Sequence, residues 1–329
     1  MAEQRSVLGV DLGGTKVVAG VVGPDGTILG RSKRPTPSRE GGPAILQAIV
    51  ETAHEALDAA GTRAGDLAGV GVGSPGPLDT ARGVILFSAN LNVKDFALGP
   101  DLAAALGRPV IVRNDVRAGG YGEFKLGAGR GYTNLLAVFV GTSIGGCVIV
   151  DGRVVDGATG NAGEVGHVVL KANGPECGCG RRGCMEALAS RTAITRRIYK
   201  AIKRGEPSTL ALKLTSKSSK LKSRELAAAF EAGDIVAVSE VRRAAHFLGL
   251  GLGGLINVLG PRRVIVGGGV AEALGEPYLA MVRASTRSQV LFDPEETIEI
   301  EPAALGDDAG LIGAALMARE QFAPAAPGG

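Results

Sequence analysis

The chain has 329 residues, of which 45% are apolar, enough to bury cores for two domains of ordinary size. Its 36 Lys and Arg nearly balance 33 Asp and Glu, so net charge gives no case for nucleic acid or membrane as the main partner. The 52 glycines fall in short clusters after apolar runs, which predicts tight turns and close backbone approaches. Met1–Ser6 is polar and short, and Phe247–Leu259, the longest apolar tract, is broken by glycines below membrane-span length. A soluble, cytoplasmic protein without a targeting segment is expected.

Val7–Val10, Lys16–Val22 and Thr27–Arg31 are β-branched runs separated by Gly, Pro and Asp, and so predict an antiparallel meander. A helix is predicted over Pro43–Ala60 and strands at Ala68–Val72 and Val110–Val112, with a helix over Val116–Leu126. The opening pattern then returns at Leu135–Val140, Gly145–Val150 and Arg153–Val155. Aligning Gly13 with Gly141 gives a repeat offset of 128 residues, too long for a solenoid, and suggests two related domains with a substrate cleft between them. Chance in a Gly/Val-rich chain is the alternative. Lys200–Arg224 holds eight basic residues and one acid, and without interleaved aromatics reads as a solvated helix end and loop. Arg263–Val266 reads as a strand leading through Gly267-Gly268-Gly269 into a helix from about Val270. Asp308–Arg319 reads as a last helix, and 323–329 as a loose tail.

No P-loop sequence is present. The G-x-G-x-x-G at Gly71–Gly76 is spoiled by prolines, and the one at Gly249–Gly254 has no strand before it, so neither marks a dinucleotide site. Two hairpin turns are better phosphate binders: Asp11-Leu12-Gly13-Gly14-Thr15-Lys16 and Gly141-Thr142-Ser143-Ile144-Gly145-Gly146. Their small residues let N–H groups approach phosphate oxygens, and Thr15 and Thr142 add hydroxyls. Asp11 can hold Mg²⁺ through water, with Lys16 near the phosphates and Gly268 and Gly269 serving a nucleotide. An ordinary glycine hairpin is the alternative for either turn alone. His167, Cys177, Cys179 and Cys184 have the spacing H-x9-C-x-C-x4-C, which suits a closed, structural tetrahedral zinc site better than a Cys177–Cys179 disulfide. Cys147 reads as core.

With these residues assembled, the chain resembles the ROK family of bacterial sugar kinases and regulators, and its glucokinase-like members in particular, from about Val7 to Leu316. Gly163-Glu164-Val165-Gly166-His167, the cysteine cluster and Glu186 carry the most specific part. Asp11–Lys16, Ser74–Asp79, Asn114-Asp115, Gly267–Gly269 and Leu305–Gly310 also match. The resemblance implies an α/β actin/hexokinase-type (ribonuclease H-like) fold with duplicated domains and a cleft. It assigns 1–117 to a small N-terminal domain, joined by the C-terminal helix at 305–322, and 118–304 to a large domain with the zinc site. It implies ATP-dependent phosphorylation of the 6-hydroxyl of glucose, with Asp115 as the base. Asn90, Asn114, Asp115, Glu164, His167 and Glu186 would bind the sugar, and Asp11, Gly13, Gly14, Thr15, Lys16, Gly141, Thr142, Gly268 and Gly269 the nucleotide with Mg²⁺. His167 would place one ring nitrogen on zinc and the other on the sugar. A homodimer or homotetramer is expected.

Departures from the family pattern are Arg113 and Arg117 flanking Asn114-Asp115, and Ser143 where Gly is usual. The arginines are expected to depress Asp115's pKa if they lie near it, and otherwise to point away or bind phosphate. An N-acetylhexosamine or other hexose as substrate, polyphosphate as donor, and a non-catalytic sugar sensor are the alternatives. Regulators of the family carry an N-terminal DNA-binding domain. Only six residues precede the first strand here, so DNA binding is not expected.

Overall fold

The structure is a computed structural model, and it describes residues 5–216, 218–293 and 297–322. The tail expected at 323–329 and most of the polar N-terminus lie outside the described residues. In chain order the elements are β1 (Val7–Leu12), β2 (Lys16–Val22), β3 (Ile28–Pro35), α1 (Gly42–Ala60), β4 (Val70–Ser74), β5 (Leu78–Asp79), β6 (Val84–Ser88), β7 (Val93–Phe96), α2 (Leu98–Leu106), β8 (Val110–Asn114) and α3 (Asp115–Leu126). There follow β9 (Leu135–Val140), β10 (Ile144–Val150), β11 (Arg153–Val154), α4 (Met185–Ala189), α5 (Arg191–Lys203), α6 (Ser223–Glu231), α7 (Ile235–Leu259), β12 (Arg263–Gly267), α8 (Gly269–Arg287), β13 (Glu299–Pro302) and α9 (Ala309–Phe322).

The chain divides into two compact units. One comprises Met1–Gly131, Val154–Ala162 and Asp307–Gly329; the other comprises Tyr132–Arg153 and Gly163–Gly306. The cut expected after residue 117 falls inside α3, which cannot be parted from the first unit because it packs along α9. Glycines make that packing close. A methyl group on Gly313 would collide with the Ala118 carbonyl, and one on Gly122 would lie 2.6 Å from the Ala309 carbonyl oxygen.

The first unit is built on the sheet β3-β2-β1-β4-β8. Strands β1, β2 and β3 are antiparallel, as their hairpin turns require, while β4 and β8 join parallel to β1 through helical crossovers. Helix α1 covers the β2–β3 side, burying Ile45, Ile49, Thr52, Ala53, Ala56 and Leu57 at helical spacing, and ends on Gly61 at φ 60°. Helix α9 lies on β1 and β4, where Gly9 and Gly71 leave its backbone room at Leu311 and Ala314. The first glycine of the false dinucleotide fingerprint therefore serves helix-on-sheet packing. The small sheet β5-β6-β7 is an addition that the repeat does not foreshadow.

The second unit is built on the sheet β11-β10-β9-β12-β13. Again a hairpin precedes parallel strands, with β12 parallel to both β9 and β13. Counting strands within each sheet from the start of its own meander, both orders are third, second, first, fourth, fifth, so the repeat in sequence is a repeat of topology. Two glycines of the second false fingerprint seat α7 on its neighbours, Gly249 against Ser285 and Gly251 against Met185, and Gly253 beside them meets Gln289, whereas the third, Gly254, has open space around it. Among the described residues no helix is long and apolar enough to cross a membrane.

Candidate active site

In the first unit the parallel strands β1, β4 and β8 run side by side and end together. Asp11 pairs with Gly73, Gly73 with Arg113, and Ser74 with Asn114. The carboxyl ends of such strands are where open α/β sheets collect ligands. Gly73 lies under the start of α3, where a Cβ would stand 3.4 Å from the Asp115 Cα. Asn114 caps α3, its Oδ1 accepting from Arg117 N at 3.1 Å. Asp115 is the first residue of that helix, where the N-terminal dipole favours a carboxylate, and its Oδ1 accepts from Val116 N at 2.9 Å. The Oδ1 of Asn114 is thus committed to the helix start, which leaves its amide nitrogen for a hydroxyl.

The β1–β2 turn is closed by Gly13 N donating to Lys16 O at 2.9 Å and is held from below by Thr36, whose hydroxyl donates to Gly13 O at 2.7 Å. A Cβ on Gly14 would stand 3.0 Å from Asn90 O, so Asn90 lies against this turn. Asp11 is half-buried, and desolvation pushes its carboxyl up from the ordinary range; Lys16 and Arg31 pull it down and Asp307 adds to the rise. Lys16 Nζ pairs with Asp307 at 3.2 Å and Arg31 with Asp308 at 3.0 Å. A Cβ on Gly310, in the first turn of α9, would come 3.1 Å from the Asp11 carboxylate. Asp307–Gly310, the end of a segment that sequence singles out without a chemical role, is therefore the neighbour of Asp11 and Lys16. Arg31 has no motif that could have revealed it.

Arg117 is buried and binds Asp156 Oδ1 at 2.8 Å, Gly160 O at 2.8 Å and Ala162 O at 2.7 Å, tying the 154–162 loop to α3. Arg113 donates to Val112 O at 3.1 Å and Thr80 O at 3.4 Å. Both guanidinium groups are thus spent on main-chain carbonyls and Asp156. Ser143 adopts no left-handed backbone, so its side chain carries no strain in the second turn.

In the second unit the β9–β10 turn is closed by Gly141 N donating to Ser143 O at 2.9 Å. Arg191 organises it from the start of α5. Its N donates to Gly141 O at 2.9 Å, its Nη2 to the Thr142 hydroxyl at 2.5 Å and its Nη1 to the Ser223 hydroxyl at 3.0 Å. A Cβ on Gly269 would lie 3.3 Å from Ser223 Oγ, and one on Gly268 (φ 84°) would press on Val140. The N-termini of α5, α6 and α8 therefore meet beside the Gly141-Thr142 turn. Unpaired N–H groups and dipoles at helix starts favour phosphate. Arg191 and Ser223 belong to no motif, and only the fold brings them to Thr142.

The same unit assembles the cysteine loop. One ligand atom each from His167, Cys177, Cys179 and Cys184 lie within 4.8 Å of one another. His167 Nδ1 is 3.6 Å from Cys177 Sγ, and Cys179 Sγ is 3.8 Å from Cys184 Sγ. Four ligands placed tetrahedrally at Zn–S about 2.3 Å would set sulfurs about 3.8 Å apart, so the donor set fits a divalent cation. Burial pushes the Cys177 thiol up to about 12, while the Arg181 N–H bonded to Cys179 pulls that thiol down. The other ring nitrogen of His167, Nε2, stands 3.9 Å from Glu164 Oε2. Glu186 bridges the cluster to the phosphate turn: Oε1 is 3.5 Å from Cys177 Sγ and Oε2 accepts from Ile144 N at 3.1 Å. Cys147 is buried in β10 and stands outside the cluster.

Paired sheets of one topology, each with a glycine turn at its first hairpin, define an α/β protein of the actin/hexokinase-like fold. Comparison with known proteins narrows the class. The chain belongs to the ROK family, whose profile matches residues 7–321. It is 36% identical to a glucokinase of Thermotoga maritima, across 96% of this chain and 98% of that one. Its structure is similar to a ROK hexokinase from Thermus thermophilus (39% identical, TM-score 0.82, covering 96% and 98% of the two chains). It is likewise similar to a ROK glucokinase from Streptomyces griseus in complex with glucose and AMPPNP (34% identical, TM-score 0.81, covering 96% and 99%).

Proposed function

We infer that the protein is an ATP-dependent glucokinase that transfers the γ-phosphoryl group to the 6-hydroxyl of glucose. One observation carries this reading beyond family likeness: Asp11 and Asp115 stand at the carboxyl ends of parallel strands β1 and β8, which flank β4 in one sheet. Phosphoryl transfer needs positioning and charge stabilisation more than covalent help. Asp115 accepts the proton of the attacking hydroxyl. Asn114 Nδ2 and Asn90 hold further hydroxyls, and Asp11 holds Mg²⁺ through water, with Lys16 near the phosphates. In the second unit, the Gly141-Thr142 turn and Gly268-Gly269 take the nucleotide phosphates. His167 Nε2, Glu164 and Glu186 take hydroxyls near the anomeric carbon. His167, Cys177, Cys179 and Cys184 would hold a Zn²⁺ ion, which would supply structural cross-linking and fix the His167 ring.

The test is a coupled ADP-release assay with ATP·Mg over glucose, mannose, fructose, N-acetylglucosamine and N-acetylmannosamine, with polyphosphate as a second donor. Glucose with ATP should give the highest kcat/KM. Asp115→Asn should lower kcat by about 10²–10⁴-fold with glucose binding kept, the size of a general-base contribution. Glucose binding without turnover in the unaltered protein would instead indicate a sensor.

A further inference from the structure

Between α5, α7 and the cysteine loop of the second unit lies a cavity of about 260 Å³, none of whose lining residues is given a role above. Its wall carries Lys171, Arg196, Arg197, Lys200, Arg204 and Arg243 against a single acid, Glu240. That acid is already spent: its carboxylate pairs with Arg197, which also donates to Leu188 O at 2.7 Å. Arg204 pairs with Glu206 at 2.7 Å. Among the described residues, Lys171, Arg196, Lys200 and Arg243 have no ion-pair partner. Like charges gathered around one concavity repel, and their field favours an anion.

An exposed basic helix face would also leave lysines unpaired, but it would not form a concavity fed from three separate chain segments. These cations come from the cysteine loop (Lys171), from α5 with the residue that ends it (Arg196, Arg197, Lys200, Arg204), and from α7 (Arg243). The size is below that of ordinary nucleotide pockets and suits a compact ligand. Arg196, with Ala187 and Ala193, also lines the neighbouring cavity that contains Thr142, Ser143 and Glu186. An anion held here would therefore border the second phosphate turn across α4.

We propose that this cavity is a binding site for a small phosphate-bearing anion, separate from the nucleotide turns. Guanidinium and ammonium groups on three sides match a ligand with two phosphate charges or a phosphorylated sugar. The proposal does not depend on the glucokinase reading. Binding of a non-hydrolysable ATP analogue is measured first, and its failure would count against that reading alone.

The test is isothermal titration of the zinc-loaded, full-length protein, saturated with that analogue, at low ionic strength. Inorganic pyrophosphate and glucose 6-phosphate are titrated separately, and the tighter of the two identifies the source of the phosphate. One site per chain is expected, weakening as salt rises. The double variant Lys200→Glu, Arg243→Glu should bind at least tenfold more weakly, with analogue affinity unchanged. Lys200→Ala, the milder change, should weaken binding by a smaller factor and guards against misfolding of the double variant. No heat with either anion, or equal binding by wild type and the charge-reversed protein, would overturn the proposal.

Discussion

The two glycine turns proposed to bind phosphate sit at equivalent places in sheets of the same strand order, yet their chemistry differs. The turn at Asp11–Lys16 is ringed by charge, with Asp307, Asp308 and Arg31 around Asp11 and Lys16. The turn at Gly141 is neutral in itself and is organised by the Arg191 guanidinium, the hydroxyls of Thr142, Thr192 and Ser223, and one carboxylate, Glu186. The difference comes from what the fold packs behind each turn. In the first unit it is the start of α9; in the second it is the starts of α5, α6 and α8. A duplicated backbone thus supplies two glycine turns, and on the proposed reading the helices behind them would decide which handles metal and hydroxyl and which handles nucleotide.

After the loss expected for Asp115→Asn, the largest effect should come from the packing that delivers α9 to the first turn. Gly313→Ala puts a methyl group into the Ala118 carbonyl, and overpacking of this kind costs about 1–3 kcal/mol. Gly254→Ala is its counterpart in the second unit. Gly254 lies within α7 with open space around its Cα, so alanine should stabilise by about 0.5–1 kcal/mol. Urea midpoints measured on both variants should therefore move in opposite directions. Equal shifts would mean that glycine in this chain is not chosen by contact.

Sequence made the frame legible because hairpins and helices declare themselves locally. Alternation and glycine turns place β1, β2, β9 and β10 within a residue or two, and the repeat anticipates the matching sheets. The cysteine cluster was legible as a group because its four side chains come from one short stretch, residues 167–184, and gather together. What escaped depends on distant packing. Arg191 and Ser223 meet Thr142 only through the fold, and Asp307 reaches Lys16 across 291 positions. Both G-x-G-x-x-G patterns were set aside on local grounds, and the fold gives some of their glycines, Gly71, Gly249 and Gly251, a packing use instead.

Two further changes sharpen the comparison. Cys184→Ser removes a buried ligand, and metal content should fall from about one ion per chain to near zero. Because Glu186 and His167 lean on that loop, KM for glucose should rise about tenfold or more, with KM for ATP less affected. Arg191→Ala should do the reverse. It removes the donor to Thr142 and Ser223, so KM for ATP should rise several-fold while glucose binding is kept. If both variants raised both constants equally, the two subsites of the second unit would act as one.

The smallest expected effect concerns Asp11, where two terms oppose. Burial raises its pKa, which makes the ionised form a cost to the folded state, while the start of α9 beside it favours negative charge by roughly 0.3–1 kcal/mol. An acid whose folded pKa exceeds its unfolded value stabilises the fold below the unfolded value and loses that contribution as pH rises through the folded one. Above the raised pKa the carboxylate is a net burden if burial wins. Asp11→Asn in Mg²⁺-free buffer should then raise Tm at pH 7 by about 2–4 °C, the shift that about 1 kcal/mol produces in a domain of this size. The gain should shrink as pH falls toward the ordinary carboxylate range. A Tm at pH 7 below that of the unaltered protein would mean that the helix start and Lys16 outweigh burial, making the first turn as electrostatically relaxed as the second.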